Sequence, residues 1–371
     1  MIPVCEPLIH EKEIEHVMNC LKSGWISSKG KYVDRFEQEF SAYCGVKYGV
    51  TTTSGTTAIH LALAALGIGE GDEVILPTFT MIGSTFPVIY CDAKPVLVDC
   101  EPDTWNMDPA KLEEKVTERT KAIMVVHIYG HPVDMAGIWE LAKKYNLWLI
   151  EDAAEAHGAE YKGRKAGGLG NVGCFSFYAN KIVTTGEGGM VVTDDEVTYQ
   201  RAVALKDLAH SKEKRFLHEH VGFNYRLTNL QAAIGVSQLE RIDQLVEVKR
   251  RNAALYHEGL KEIEGLRLPV EKPYAKNVYW MYGVVVQEGF GMSSDELQTK
   301  LRGKGVETRS FFVPMHRQPV FQKLGLFQKE SYPVADYISE RGLYLPSGLS
   351  LTKDQIEYVC KSIAEIQKGC T

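Results

Sequence analysis

The sequence predicts an α/β protein built on a large mixed or parallel sheet, with a smaller α+β lobe toward the C-terminus. Three observations carry this prediction. Short apolar runs alternate with segments of helical period through the first half of the chain, the pattern of strands joined by crossover helices. From residue 230 to about 263 the helical period runs almost without interruption, long enough to pass from one lobe to another. A chain of 371 residues, 44% hydrophobic and 24% charged, has a globular composition and room for a large core.

The N-terminal stretch carries Glu6, Glu11, Glu13 and Glu15 where a secretion signal would carry a basic start and an apolar run, so no export is expected. Ile14, Val17, Met18 and Leu21 then repeat at helical spacing over residues 11–22, and Gly24 stands where a C-cap belongs. Next come a helix over 58–66, strands over 74–76, 95–98 and 122–128, a helix over 135–145 and a strand over 148–150. Strand-like runs at 174–177 and 189–193 flank a small, polar stretch from Gly186 to Gly189. In the long helical run, Ile234, Leu239, Ile242, Leu245, Val246 and Leu255 form the apolar stripe, and segments 280–286, 293–301, 307–312 and 354–366 build the smaller lobe. The division this implies is a large domain over residues 10–245 and a small C-terminal domain over 246–371, to which the N-terminal residues contribute.

Charge and cysteine content narrow the function classes. The formal net charge of −6, from 42 basic and 48 acidic side chains, gives no general attraction to nucleic acid or to an anionic membrane. The apolar runs are far shorter than the ~20 residues a membrane helix needs. The eight cysteines have no metal-like spacing, so free thiols and no metal site are expected. Gly168, Gly170 and Gly173 match G-x-G-x-x-G, but they lead into a β-type run rather than a helix, so a surface turn is expected in place of a dinucleotide site.

Two positions invite chemistry. The buried-looking strand at 148–150 runs into Glu151 and Asp152, and ligands of an open α/β sheet bind at the carboxyl ends of strands; an acid there caps a following helix or partners a cation. Farther on, Phe175-Ser176-Phe177-Tyr178-Ala179-Asn180-Lys181 places a lysine after an aromatic strand. It is either a surface lysine in a loop or a desolvated Schiff-base amine.

With Ser54-Gly55-Thr56-Thr57-Ala58, Glu151-Asp152-Ala153-Ala154-Glu155, Phe175-Ser176-Phe177 with Lys181, Gly186-Glu187-Gly188-Gly189 and Gly222-Phe223-Asn224-Tyr225-Arg226 in this order, the chain resembles, nearly end to end, the DegT/DnrJ/EryC1/StrS family of pyridoxal-phosphate sugar aminotransferases. The resemblance implies fold-type I, pyridoxal 5'-phosphate as cofactor (pyridoxamine 5'-phosphate during turnover), and a homodimer with shared active sites. It implies that Lys181 holds the cofactor, Asp152 pairs with the pyridine nitrogen, Gly55, Thr56 and Ser176 meet the phosphate, and Asn224 reaches the phosphate of the other subunit. The helix start after Ser54 suits that anion, and Gly55 and Thr56 read equally as an ordinary N-cap. Glu155 stands where most relatives have Gln against the phenolic oxygen, and Met81 where most stack an aromatic ring; Met81 also reads as core packing.

Within the family, Trp25-Ile26-Ser27-Ser28 and residues 222–229 most resemble the branch that aminates C4 of GDP-4-keto-6-deoxymannose to give GDP-perosamine. That likeness implies a two-stage transfer from L-glutamate to a nucleotide-linked 4-keto-6-deoxyhexose, in the cytoplasm, toward lipopolysaccharide O-antigen. Trp25, Ser27, Ser28 and Lys29 would then meet the sugar nucleotide, Arg215 its diphosphate and His316 the sugar. Arg215 reads equally as part of a solvated charge run, and His316 as a structural histidine. The alternatives are a UDP- or dTDP-linked acceptor, aminated at C4 or C3, and a sugar dehydratase. Relatives with dehydratase activity have histidine in place of the lysine, which Lys181 opposes. A noncatalytic regulator on the same scaffold is the rival from another class.

Overall fold

The computed structural model describes residues 1–211, 213, 214 and 216–369. Seven strands form the large sheet: β1 (Tyr48–Thr52), β2 (Glu73–Pro77), β3 (Lys94–Val98), β4 (Thr120–Val126), β5 (Trp148–Asp152), β6 (Val172–Ser176) and β7 (Gly189–Thr193). Their order is β1-β7-β6-β5-β4-β2-β3. The run from β3 to β6 is parallel, whereas β7 lies antiparallel between β6 and β1. The sheet is therefore mixed. Its central strands are buried on both faces, which is why they read as continuous Val, Ile and Leu runs rather than as alternation.

Three helices of the N-terminal half matter to the site: α1 (Glu11–Ser23), α2 (Lys31–Cys44) and α3 (Gly55–Ala65). Ser54 caps α3 by accepting from the Thr57 amide, and the Thr57 hydroxyl accepts from the Ser54 amide in return. In α1 the expected apolar stripe exists but faces outward: Ile14, Met18 and Leu21 are exposed, while Glu13 and Cys20 are buried. The Glu13 carboxylate accepts from Gln238 and Arg241, each at 2.6 Å, so an acid rather than an aliphatic side chain docks this helix.

The expected long helix is two helices, Asn229–Leu239 and Ile242–Leu260. The break falls at Glu240 and Arg241, whose side chains are taken by Lys12 and Arg35 and by Glu13 respectively. These are tertiary partners, so the apolar period carries no trace of the break. The first helix packs on α1 and α2 and the second on the C-terminal helix Lys353–Lys368. A smaller antiparallel sheet has the order Leu266–Arg267, Tyr282–Val286, Gly342–Leu345, Arg309–Ser310, with its own core around Tyr256, Leu297, Val359 and Ile363. The N-terminus joins this sheet's surroundings, Ile2 bridging to Val306. No helix among the described residues is long and apolar enough to cross a membrane.

Candidate active site

Parallel pairing of β5 with β6 brings Asp152, the last residue of β5, and Ser176, the last of β6, to the same edge of the sheet. The β6–β7 connection returns antiparallel and carries Lys181 over that edge. The start of α3 completes a cavity of about 310 Å³ lined by Gly55, Thr56, Met81, Asp152, Glu155, Ser176 and Lys181. Residues from four separate stretches of the sequence thus share one pocket.

Strand alternation separates the two neighbouring acids. Asp152 faces the cavity, where its carboxylate accepts from the Ser84 hydroxyl at 2.6 Å and the Ala154 amide at 3.1 Å. Burial raises its pKa, opposed by those two hydrogen bonds and by the Lys181 charge. Glu151 points to the other side, where it accepts from the amides of Gly167, Leu169 and Gly170, each at 2.7 Å, and pairs with His127 at 2.9 Å. Of the G-x-G-x-x-G glycines, Gly170 supplies one of these amides. The turn is half-buried and folded around a buried carboxylate, and a Cβ at Gly168 or Gly170 would strike backbone carbonyls at 2.4 and 2.6 Å.

Lys181 is nearly buried, and its pKa is lowered by desolvation against the pull of Glu155 and Asp152. Its Nζ lies 3.8 Å from Glu155 Oε1 and 3.6 Å from the centre of the Trp280 ring. The other oxygen of Glu155 accepts the Tyr129 amide at 2.7 Å, and Tyr129 adopts a left-handed φ of 51°. Burial pushes the Glu155 carboxyl up to about 7, Lys181 pulling the other way. A carboxyl in this place therefore has both a cationic neighbour and a proton available near neutrality.

A pyridoxal-phosphate molecule fits this donor set. At one end, the first amides of α3 have no partner within the helix and face the cavity beside the Ser176 hydroxyl. Gly55 is required there, because a Cβ would meet Ser176 Cβ at 2.7 Å. At the other end stands the Asp152 carboxylate, with the Lys181 amine also lining the cavity and the buried Asn180 Oδ1 left without a partner. Met81 lines the cavity half-exposed, its sulfur accepting from the Gly83 amide.

The remaining sequence candidates lie elsewhere in the single chain. Trp25, Ser27 and Lys29 are exposed, Ser28 is half-buried, and none lines the cavity. Their loop is pinned by Asn229, which donates to the Trp25 and Ser27 carbonyls and accepts from the Tyr32 amide. Asn224 is exposed and accepts from Arg226. His316 is buried between Thr78, at 2.8 Å, and Asp336, at 3.2 Å. Arg215 lies outside the described residues. Sequence reasoning missed Ser84, Trp280, Arg309 and Tyr344, all on the cavity wall. The last three come from the smaller lobe, and no local pattern announces a residue that only tertiary folding delivers.

Two relatives and one solved structure place this geometry. The chain is 43% identical to the GDP-perosamine synthase of Escherichia coli O157:H7, covering 98% of each, and 43% identical to that of Caulobacter vibrioides, again covering 98% of each. The structure of S. venezuelae DesV in complex with a ketimine intermediate superposes with a TM-score of 0.90 at 36% identity, over 96% of this chain and 94% of that one. The family model of the DegT/DnrJ/EryC1/StrS aminotransferases matches residues 7–364. The chain belongs to the DegT/DnrJ/EryC1/StrS aminotransferase family and is a pyridoxal-phosphate-dependent transaminase of fold-type I.

Proposed function

We propose that the enzyme moves the amino group of L-glutamate to C4 of GDP-4-keto-6-deoxymannose, giving GDP-perosamine for surface polysaccharide such as lipopolysaccharide O-antigen, in the cytoplasm. The observation that carries this reading is the full-length likeness to GDP-perosamine synthases. When bound, pyridoxal phosphate supplies a ring that accepts the electron pair left as a C–H bond beside the amine breaks. In this reading the Lys181 amine holds the cofactor and then moves the proton to and from the substrate carbon. Asp152 holds a proton at the pyridine nitrogen. Gly55, Thr56 and Ser176 would bind the phosphate, Met81 would pack against the ring, and Glu155 would hold a proton for the phenolic oxygen. Arg309 is the one cation besides Lys181 on the described cavity wall, placed for a substrate anion.

The same reading makes the enzyme a homodimer. Trp25, Ser27 and Lys29 are exposed in the loop that follows α1, whose Ile14, Met18 and Leu21 face outward, and neither they, half-buried Ser28 nor exposed Asn224 lines the cavity of its own chain. A second copy covering that apolar surface would bring such residues to the neighbouring site. His316 would act on the sugar only through the wall it buttresses.

Steady-state comparison of GDP-, UDP- and dTDP-linked 4-keto-6-deoxy sugars, with glutamate as donor, tests the acceptor. The GDP sugar should exceed the others by more than tenfold in kcat/KM, about 1.4 kcal/mol in transition-state binding. Preference for another nucleotide overturns the base assignment, and an amino group found at C3 overturns the regiochemistry as well.

A further inference from the structure

Behind the cavity wall, the helix Ile242–Leu260 carries Lys249, 2% exposed. Its ammonium has no carboxylate at ion-pair distance among the described residues, and donates instead to two backbone carbonyls, Trp280 O at 2.9 Å and Ser347 O. A methionine of similar length would fill the same space without the cost of desolvating a charge. The amino group is therefore best understood through what it holds. Both carbonyls belong to segments that touch the active site or its cover. The Trp280 indole face lies 3.6 Å from Lys181 Nζ, and its Nε1–H donates at 2.9 Å to the carbonyl of Asn180, the residue before Lys181. Ser347 donates its amide to the Val4 carbonyl and accepts the Tyr282 amide on its hydroxyl, tying the N-terminal segment to the start of the strand Tyr282–Val286.

We propose that Lys249 is a positioning residue for the transamination: by clamping the Trp280 carbonyl it seats the indole against Lys181 and keeps that amine directed into the cavity. A lysine stem has four rotatable bonds, and the indole wall removes the conformers that swing away from the cofactor site. An aromatic face alone would also favour the charged ammonium, which is not nucleophilic. Burial works against that, desolvation being the largest cause lowering the Lys181 pKa. Direction is thus imposed on Lys181 without locking it in its charged form. The clamp joins the helix after the large sheet, the smaller lobe and the loop bearing Lys181, three segments far apart in sequence.

The proposal rests on Lys181 as the cofactor-holding residue. The test is the rate at which cofactor-free protein captures added pyridoxal phosphate covalently, followed by visible absorbance, alongside kcat and KM for the ketosugar. Lys249→Met and Trp280→Leu should each slow capture and lower kcat by at least tenfold, with KM for the ketosugar changed by less than threefold. The double variant should be no more than twofold slower than the slower single variant, because both remove one device. A merely structural lysine would give effects that multiply; that result, or capture by Trp280→Leu at the wild-type rate, overturns the proposal. Should Lys249→Met fail to fold, Lys249→Leu takes its place under the same criteria. Lys181→Ala must abolish capture. If it does not, the assignment of Lys181 is what fails, whatever the Lys249 result.

Discussion

Glu155 and His157, two positions apart in one loop, are pushed to opposite sides of their ordinary titration ranges by the same burial. Glu155 rises to about 7; His157, caged by Phe40, Phe175 and Phe177, falls to about 3 through desolvation, the Lys181 charge adding to the effect and the Ser176 backbone opposing it. The signs follow from proton linkage. Folded protein keeps the Glu155 proton that the unfolded chain releases above about 4.5, so that stabilisation is full below 4.5 and is lost as pH rises through about 7. His157 refuses a proton that the unfolded chain takes up below about 6.5, so its stabilisation is present above 6.5 and is lost as pH falls toward 3. In urea unfolding of the cofactor-free protein, Glu155→Gln should therefore gain on wild type as pH rises from about 4.5 to 7, on the order of 1 kcal/mol per unit. His157→Phe should lose ground from about 3 to 6.5. Parallel curves for variant and wild type would show that these groups do not titrate as their burial requires.

At the scale of elements, one buried amide organises the approach to the first helix pair. Asn229 opens the helix Asn229–Leu239, yet its side chain serves the 25–32 loop, with Nδ2 donating to Trp25 O at 2.7 Å and Oδ1 accepting from Tyr32 at 3.0 Å. Gly30 is obligatory beside it: its φ is 153°, and a Cβ would lie 2.5 Å from the Asn229 side chain. Asn229→Ala leaves a buried amide and a carbonyl unpaired, so the unfolding midpoint in urea should fall by an amount equal to about 1–3 kcal/mol. Limited proteolysis should then cut first within residues 24–30. A midpoint unchanged from wild type would mean the loop is held by its other contacts.

For the whole molecule, the surface of α1 sets the expectation. Ile14, Met18 and Leu21 are each more than 40% exposed and lie on one helical face beside exposed Trp25 and Ile26. In the proposed homodimer, replacing Met18 and Leu21 by Glu should give monomer in sedimentation at micromolar concentration while leaving the far-UV spectrum unchanged. If the shared-site reading holds, activity should fall with the dimer fraction. A double variant that stays dimeric would place the interface elsewhere.

Local chemistry made much of this protein legible from its sequence alone. The cap at Ser54, the strand ending in Glu151 and Asp152, and the aromatic run into Lys181 are signals within a few residues, and they lead to the cavity that the fold assembles. What the tertiary structure decided is whatever depends on which face of an element meets a partner. Asp152 rather than Glu151 faces the cavity because the loop at 167–170 has amides to spare for Glu151. The break at Glu240 and Arg241 depends on Lys12, Glu13 and Arg35, more than 200 residues away. Trp280, Arg309 and Tyr344 reach the site only when the smaller lobe packs against the sheet edge. Hydrophobic period and capping act between neighbours in the chain, whereas a catalytic cavity is a property of distances between segments, and those are set by packing.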